Sequence, residues 1–219
     1  MCDNRTITLE EFLSRLVRGE DVIIEYHSDE PVHILLLELL RETERKGGAV
    51  IIDELDQLHV FRVHLELSGL KTSPIDHSPV IKMGGIIDTG NVIGKIDMSK
   101  EPAVRKRYYE ELLQKTGNPP FRVIVGFDKV LLRYENDPKE REKIFGHMVR
   151  PHIGSSERVA IYIVNRDLVN ETTIKELREH ATRVLKSEFN GEGFTLRVVK
   201  SIFPGEYGWT VSVPIKGNE

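Results

Sequence analysis

The sequence is poor in cysteine and in long apolar runs, and each shortage excludes something. A single cysteine, Cys2, rules out an intrachain disulfide, and nothing points to an oxidising compartment. No apolar run comes near the roughly 20 residues that a membrane-spanning helix needs. The amino-terminal residues lack the basic and apolar regions of a signal peptide. We therefore expect a soluble cytoplasmic protein that makes no membrane contact.

The chain also lacks a large excess of charge of either sign. The 31 Lys and Arg residues face 35 Asp and Glu residues, which leaves a formal net charge of −4 and no global reason to expect nucleic-acid binding. The basic cluster Arg105 to Arg107 is followed at once by Glu110 and Glu111, a pattern that indicates a solvated helix face. Charged residues make up 30% of the chain while glutamine occurs only at Gln57 and Gln114, which favours a thermophile protein with surface ion-pair networks.

Helices and strands alternate in the first third of the chain. Apolar runs typical of strands covered on both faces lie between helices that capping residues and glycines delimit. The predicted order is a helix from Leu9 to Val17 behind a Thr8 capping box, a strand at Val22–Tyr26, a helix capped by Asp29 that runs from Pro31 to Lys46, a strand at Ala49–Asp53, and a helix from Asp56 to Leu67. This order predicts right-handed crossovers and a parallel sheet.

The remaining segments extend this pattern and then change it. Between Lys71 and Asp97 the periodicity weakens, which predicts a small hairpin or an added edge of the sheet. The later predicted elements are a helix at Glu101–Lys115, a strand at Arg122–Phe127, a helix from Asp137 to Val149, a strand at Arg158–Val164, a helix from Asn170 to His180, and antiparallel strands at Thr182–Phe189, Phe194–Lys200 and Gly208–Val213. We predict one domain over residues 1–219: a three-layer α/β/α fold with a mainly parallel central sheet and a C-terminal antiparallel hairpin.

Polar residues follow the predicted parallel strands at the edge where an open α/β sheet binds its ligands. These residues are Tyr26 and Glu25, Asp53 and Glu54, Asp128, and Asn165 with Arg166. Short loops between strands and helices are polar in any α/β domain, because their backbone must be solvated. The pattern alone therefore leaves both a working site and ordinary solvation open.

The loop after the first long strand, Tyr26 to His33, lies where a phosphate-binding loop would be expected. Such a loop offers glycines whose N–H groups turn toward phosphate, then a lysine and a Ser or Thr. Laid without gaps on the P-loop segment of RecA and KaiC-like ATPases, the flanking strand and helix resemble that family. Tyr26 then stands at the first glycine, Pro31 at the second, Val32 at the lysine and His33 at the hydroxyl residue.

Other segments resemble the same family in order and spacing. The acidic pair after the second strand, Asp53 and Glu54, resembles the place where the family keeps the acid that activates water. In the strand that resembles the one bearing the magnesium-binding Asp, Gly126 takes that position and Asp128 lies two residues later. The closing segment from Phe194 to Val213 resembles the family's last hairpin, with Arg197 and Lys200 as its basic residues. The resemblance implies a RecA-like fold whose usual phosphate-binding residues are absent.

Two functions follow from this pattern. The first is a non-catalytic RecA-like domain of an uncharacterised archaeal family, which has lost ATP binding and serves as an interaction or assembly module. It would form homo-oligomers or bind a protein partner, and it would lack ATPase activity, catalytic residues and a cofactor. The second is an enzyme or sensor whose crevice binds a small non-nucleotide ligand, or a nucleotide in an atypical way. Its crevice residues would be His27, Ser28, His33, Asp53, Glu54 and Asp128.

Other chemistry finds less support in the sequence. No two histidines have the four-residue spacing that places two imidazoles side by side on a helix, so we expect no metal site. No G-x-S-x-G element occurs that would indicate a serine hydrolase. Tyr207 and Trp209 lie in the last hairpin, where packing against the sheet is expected and a surface for a partner is the alternative.

Overall fold

The fold was obtained as a computed structural model, which describes residues 5–217. Cys2, the single cysteine, therefore lies outside the described residues. Ten strands form one sheet: β1 (Thr6–Thr8), β2 (Asp21–Tyr26), β3 (Ala49–Glu54), β4 (Pro79–Met83), β5 (Asn91–Ile96), β6 (Phe121–Val125), β7 (Val159–Asn165), β8 (Arg183–Phe189), β9 (Gly193–Ser201) and β10 (Thr210–Pro214). Their spatial order is β1-β10-β9-β8-β2-β7-β6-β3-β4-β5.

The sheet is mostly parallel, as predicted. All neighbours from β8 to β5 pair in parallel, and β10 and β1 run the same way as these strands. Within the described chain, β9 alone runs in the opposite direction and forms antiparallel pairs with β8 and β10. The central strands β2, β3, β6 and β7 are buried along their whole length, because helices cover both of their faces.

In the described part of the chain, eight α-helices flank the sheet: α1 (Leu9–Arg15), α2 (Val32–Glu44), α3 (Gln57–Leu67), α4 (Ser73–His77), α5 (Pro102–Lys115), α6 (Phe127–Arg133), α7 (Pro138–Ile144) and α8 (Glu171–His180). The helices α1 to α4 contribute to the apolar core on one face. The helices α5 to α8 contribute to the core on the other face. This arrangement is the predicted three-layer α/β/α fold. Among residues 5–217, no helix combines the length and apolarity needed to cross a membrane.

The segment from Lys71 to Asp97 adds an edge to the sheet, but it is not a hairpin. The strand β5 runs parallel to β4, so the short connection between them must carry the chain back along the sheet. Asp56 guides this return, because its carboxylate accepts hydrogen bonds from the N–H groups of Ile86 (2.8 Å) and Ile87 (3.0 Å). Sequence patterns do not show this contact across 30 residues. Of the two predicted alternatives, the added edge is confirmed and the hairpin is wrong.

Three local expectations are also wrong. The helix α2 begins at Val32 with Pro31 at its N-cap and without a side-chain cap, so Asp29 does not cap it. The helix α7 ends at Ile144, where a π-helical turn, Phe145–Val149, replaces the expected last turn. Arg105 does not lie on a solvated face: it is buried, whereas Lys106 and Arg107 pair with Glu110 and Glu111. The Thr8 capping box is confirmed by reciprocal bonds with Glu11.

Candidate functional site at the carboxyl ends of the strands

An open groove of about 1090 Å³ lies at the carboxyl ends of β2, β7 and β8. The loop His27–Glu30 forms one wall, and Arg166 with Asp167 follows β7 beside it. Side chains of β8 and β9 line the remaining wall, including Lys186 and Arg197. This position is the edge at which an open parallel sheet binds ligands, so the groove is the crevice that the sequence predicts.

The backbone N–H groups at the start of the loop are bonded to carboxylates of the chain itself. The carboxylate of Glu30 accepts a hydrogen bond from the N–H of His27 at 2.7 Å and another from the Ser187 hydroxyl at 2.6 Å. The carboxylate of Asp167 accepts the N–H of Ser28 at 2.9 Å, and its other oxygen lies 2.9 Å from Nδ1 of His27. These N–H groups stand in the part of the loop where a P-loop presents its donors to phosphate. Two of the chain's own anions therefore take the place of a phosphate.

The donation from Ser28 has an electrostatic consequence at Asp167. The N–H of Ser28, and then the contact with His27, holds the pKa of Asp167 below its ordinary value. The Asn165 side chain extends the network, since its amide donates to the Ser28 hydroxyl at 3.0 Å and its oxygen accepts the N–H of Asp167 at 3.0 Å. The loop is thus held in one conformation by hydrogen bonds within the chain.

Tyr26, at the position of the first P-loop glycine in the resemblance, is buried at the end of β2. Burial and the nearby Asp128 raise the pKa of its hydroxyl, which a hydrogen bond to Asn165 opposes. A tyrosine ring thus fills space that a glycine would leave open for a ligand. Its hydroxyl is engaged with the same asparagine that orders the loop.

Gly126, at the position of the magnesium-binding Asp in the resemblance, has no room for a side chain. Its φ of +84° is left-handed, and a Cβ built on it would lie 2.1 Å from the backbone oxygen of Glu54. Asp128, two residues later, is buried in the first turn of α6. Burial raises its pKa to about 6, and nearby backbone N–H groups offset only part of that shift.

Asp53 is engaged in holding neighbouring elements. Its carboxylate accepts the N–H of Leu58 at 2.8 Å at the start of α3, and the Lys82 ammonium lies 3.2 Å from its other oxygen. Burial opposes the charge of Lys82, but hydrogen bonding to Asp56 and the charge of Asp53 raise its pKa on balance. Asp56 itself adopts a left-handed conformation, with φ of 63°. The positions of these charges indicate a structural role for Asp53.

The six predicted site residues therefore separate into three places. His27 and Ser28 line the groove. Asp53, Glu54 and Asp128 are buried at the ends of β3 and β6 or just beyond them, away from the groove lining. His33 lies between helices, with its ring 5.3 Å from that of His64, and burial lowers its pKa. The crevice of six residues predicted from the sequence is not assembled as one site.

Sequence reasoning missed the residues that shape the groove. Neither Glu30 nor Asp167 was among the predicted site residues, although Glu30 lies in the predicted loop and Asp167 lies two residues beyond the end of β7. Lys186 and Arg197 face each other across β8 and β9, a register that only the structure reveals. Among residues 5–217, neither these two basic side chains nor Arg166 forms an ion pair or side-chain hydrogen bond. No group of three or more metal-ligating side chains within the described residues is arranged to hold a metal ion.

The sheet order and the position of the crevice define a RecA-like α/β protein. Flagellar accessory protein FlaH from Methanocaldococcus jannaschii has a similar fold, with a TM-score of 0.54 and 14% sequence identity over 98% of this chain and 96% of that one. The chain belongs to the family described as Pyrococcus protein of unknown function, DUF257, whose pattern matches residues 11–212.

A protein of Pyrococcus horikoshii OT3, solved in a structural study under project identifier PH0250, is similar along almost the whole chain. It has a TM-score of 0.80 and 28% identity, over 94% of this chain and 98% of that one. A comparison with curated proteins gave no match.

Proposed function

We propose that this chain is a non-catalytic RecA-like domain of the cytoplasm, which does not bind ATP in its crevice and acts as an interaction or assembly module. The observation that carries the proposal is the occupation of the loop by Glu30 and Asp167. A triphosphate would have to displace two carboxylates that already satisfy the donors, and it would meet their negative charge. A nucleotide would also meet Val32 where the P-loop lysine would be, so the ammonium that a P-loop supplies from its own loop is lacking.

The magnesium side of the site supports the same proposal. The aspartate that would coordinate magnesium is replaced by Gly126, where backbone contacts leave no space for a carboxylate. Asp53, in the position of an acid that would activate water, has its oxygens engaged by Leu58 and Lys82. Hydrolysis of ATP needs both a bound metal and a free base. The geometry therefore favours a domain that folds without binding magnesium and without hydrolysing ATP.

Exposed apolar side chains at the opposite edge of the sheet, near the amino ends of the parallel strands, support a partner surface there. Four apolar side chains are partly or largely exposed there: Val17 (57%), Ile202 (55%), Phe203 (42%) and Tyr207 (41%). Two of them, Val17 and Phe203, are connected through Glu20, which accepts the N–H of Val17 at 2.7 Å and pairs with Arg183. The Arg183 guanidinium lies 4.8 Å from the centre of the Phe203 ring. Exposed apolar side chains grouped in this way favour a protein interface, and a second copy of the chain is the first partner to test.

The loss of ATP binding is tested by calorimetric titration of the purified chain with Mg²⁺ and ATP, and then with GTP. We expect no saturable heat at nucleotide concentrations up to about 1 mM. Lys186→Met and Arg197→Met serve as crevice variants, and Arg107→Met, on an exposed part of α5, serves as the control. A micromolar affinity that the crevice variants weaken and the control leaves unchanged would overturn the proposal.

The assembly role is tested by light scattering coupled to size-exclusion chromatography. We expect a dimer or larger assembly that Phe203→Ser and Tyr207→Ser convert to a monomer, while Leu132→Ser, at an exposed apolar position on α6, does not. A wild-type monomer over the whole concentration range would count against self-association. A wild-type assembly that survives both substitutions would count against this surface.

A small-ligand sensor remains as a second candidate, because Arg166, Lys186 and Arg197 border the groove without ion pairs among the described residues. Groove cations of this kind suit an anionic ligand other than a nucleotide. Thermal denaturation with citrate as the probe tests this function. A rise in Tm that Arg197→Met abolishes would favour it, and an unchanged Tm at every citrate concentration would exclude citrate-like ligands.

A further inference from the structure

A second cavity, of about 60 Å³, lies away from the crevice, on the face of the sheet that α5 to α8 cover. The strands β3, β6 and β7 form its floor, and α5 with the π-helical turn Phe145–Val149 covers it. A single water needs about 10–15 Å³ of such space, so the cavity has room for about four to six water-sized groups. It is large enough for a small molecule and too small for a nucleotide.

Arg122 contributes a buried positive charge to the cavity and forms no ion pair among the described residues. Its side chain is 1% exposed, and its guanidinium donates to the backbone oxygens of Pro119 and Phe121 and to the Asn118 side chain. The Tyr109 hydroxyl also lies against it, while its Nε has no partner among the described residues. Within residues 5–217, Arg122 forms no ion pair, and a buried charge without a counterion is costly.

Arg105 adds a second unpaired cation from α5. Its side chain is 8% exposed and donates to the sulfur of Met98 at 3.6 Å, and within the described chain its Nε has no partner. A third arginine on the cavity wall, Arg158, differs because it forms a buried ion pair with Asp21. The cavity therefore holds two guanidinium groups more than its ion pairs neutralise.

The other titratable groups do not supply the missing negative charge. Glu54 is buried, and burial followed by the charges of Asp128 and Asp53 raises its pKa well above the ordinary value, although the charge of Arg105 opposes the shift. Its Oε2 has no hydrogen-bond partner among residues 5–217. Burial and the neighbouring Arg158 and Lys106 lower the pKa of His152 to about 4, so this ring is neutral at neutral pH. Donors thus outnumber acceptors in the cavity.

Part of the cavity lining is apolar. This part is formed by Met83, Ile124, Phe127 and Met148, together with Ile52. A bare inorganic anion would leave this part unfilled, whereas a molecule with a short hydrocarbon body would contact it and lose apolar surface to solvent. The two parts of the cavity together define a ligand with one acidic group and a small apolar body.

We propose that this cavity is a binding site for a small organic acid, whose carboxylate lies against Arg105 and Arg122 and whose apolar body lies against Met83, Ile124 and Phe127. A guanidinium matches a carboxylate in two parallel hydrogen bonds, and the ligand's charge replaces the missing counterion. The Glu54 carboxyl, whose pKa burial raises, also lines the cavity. Exposed His147 and half-buried Met148 place the mouth at the π-helical turn, a feature frequent at functional sites.

Calorimetry with butyrate as the probe tests the site, with inorganic phosphate as the comparison. The wild-type protein is expected to bind butyrate saturably, with a Kd of about 1 mM or lower, and to bind phosphate at least tenfold more weakly. Arg105→Met should weaken butyrate at least tenfold. Arg107→Met is the matched control, since it makes the same substitution on the exposed side of the same helix and should change nothing.

Arg122→Met provides a second variant, and a crystal grown with butyrate provides a direct measurement if either arginine variant fails to fold. Absence of butyrate binding, equal binding by Arg105→Met and the wild type, or saturable binding of phosphate alone would each overturn the assignment. Butyrate density in the groove rather than in the cavity would overturn it as well. The site does not depend on the crevice, so this titration and the ATP titration can fail separately.

Discussion

The loop after β2 and the cavity under α5 differ in whether their polar groups find partners of opposite charge or polarity within the described chain. In the loop, the N–H groups of His27 and Ser28 are bonded to Glu30 and Asp167, so the chain supplies its own anions. In the cavity, Arg105 and Arg122 are buried and have no carboxylate partner within the described chain. The first region is complete without a ligand, whereas the second lacks a counterion.

This difference shows how a ligand site can be distinguished from the remains of one. Position in the fold marks the crevice, since open parallel sheets bind ligands at that edge. Unpaired buried groups identify the cavity instead, because such groups are costly and are retained where a ligand compensates them. In this chain the two criteria point to different places.

The largest expected effect comes from removing the ion-pair partner of a third arginine on the cavity wall, Arg158. Asp21→Ala would remove the carboxylate that neutralises this arginine and leave a third buried cation unpaired. Breaking a buried pair in this way typically costs about 3–5 kcal/mol, so the free energy of unfolding in guanidinium chloride should fall by that amount. Glu171→Ala, at an exposed ion pair with Lys175, is the control and should change it by less than about 0.5 kcal/mol. A loss below about 1 kcal/mol for Asp21→Ala would show that the cavity tolerates unpaired cations.

The next largest effect is expected at Asp128, which is buried beyond the end of β6. Burial is the main cause of its pKa shift, so this residue tests the effect of burial. Its pKa is raised to about 6 in the folded protein, from an ordinary value of 3.8 in the unfolded chain. The folded state therefore holds a proton that the unfolded state releases, so stability is lost as the pH rises from about 4 to 6. The loss amounts to about 3 kcal/mol at neutral pH.

Asp128→Asn removes this titration and should stabilise the protein at pH 7 relative to the wild type, with little effect near pH 4. Unfolding free energies of both proteins, measured at each pH, check the difference and cancel the other titrating groups. A variant less stable than the wild type at pH 7 would mean that Asp128 is charged and stabilised by partners.

The loop offers a smaller effect. Glu30→Ala would free the N–H of His27 and the Ser187 hydroxyl from a charged acceptor, which should cost about 1.5–3 kcal/mol. Asp29→Ala, at the adjacent exposed position, is the matched control and should stay within about 0.5 kcal/mol. Chemical denaturation measures both. Equal effects would show that Glu30 does not hold the loop.

The smallest effect belongs to Asp167, which is 42% exposed. Its lowered pKa means that its contribution is present above the unfolded pKa and is lost as the pH falls through the folded one. Solvent screening limits the contribution, so Asp167→Asn should cost less than about 1 kcal/mol at pH 7. Hydrogen exchange at Ser28 should nevertheless speed up, because its N–H loses a carboxylate acceptor. Unchanged exchange would contradict the role of Asp167 in closing the loop.

Much of the fold could be predicted from the sequence, because apolar runs and helix caps are local signals. The parallel strands before β8 and the antiparallel β8, β9 and β10 are confirmed. The helix α6 was missed as a whole, and the strand before it was predicted to run to Phe127, because the turn between them depends on the left-handed Gly126. The direction of β5 was missed because Asp56 holds the returning loop from a distance.

The site was less predictable, since its contacts join distant parts of the chain. Asp167 meets Ser28 across 139 residues, and Glu30 meets Ser187 across 157. Sequence spacing gives no sign of either contact. Arg105 was expected on a solvated face because acids follow its cluster, yet the helix turns this one residue toward the sheet. Its neighbours Lys106 and Arg107 do pair with those acids.

A crystal structure of the protein grown with both Mg²⁺–ATP and butyrate tests the contrast between the two regions most directly. We predict a crevice without nucleotide, in which Glu30 and Asp167 still accept the N–H groups of His27 and Ser28, and butyrate density against Arg105 and Arg122. Phosphate density on the N–H groups of His27 and Ser28, with both carboxylates displaced, would contradict the account.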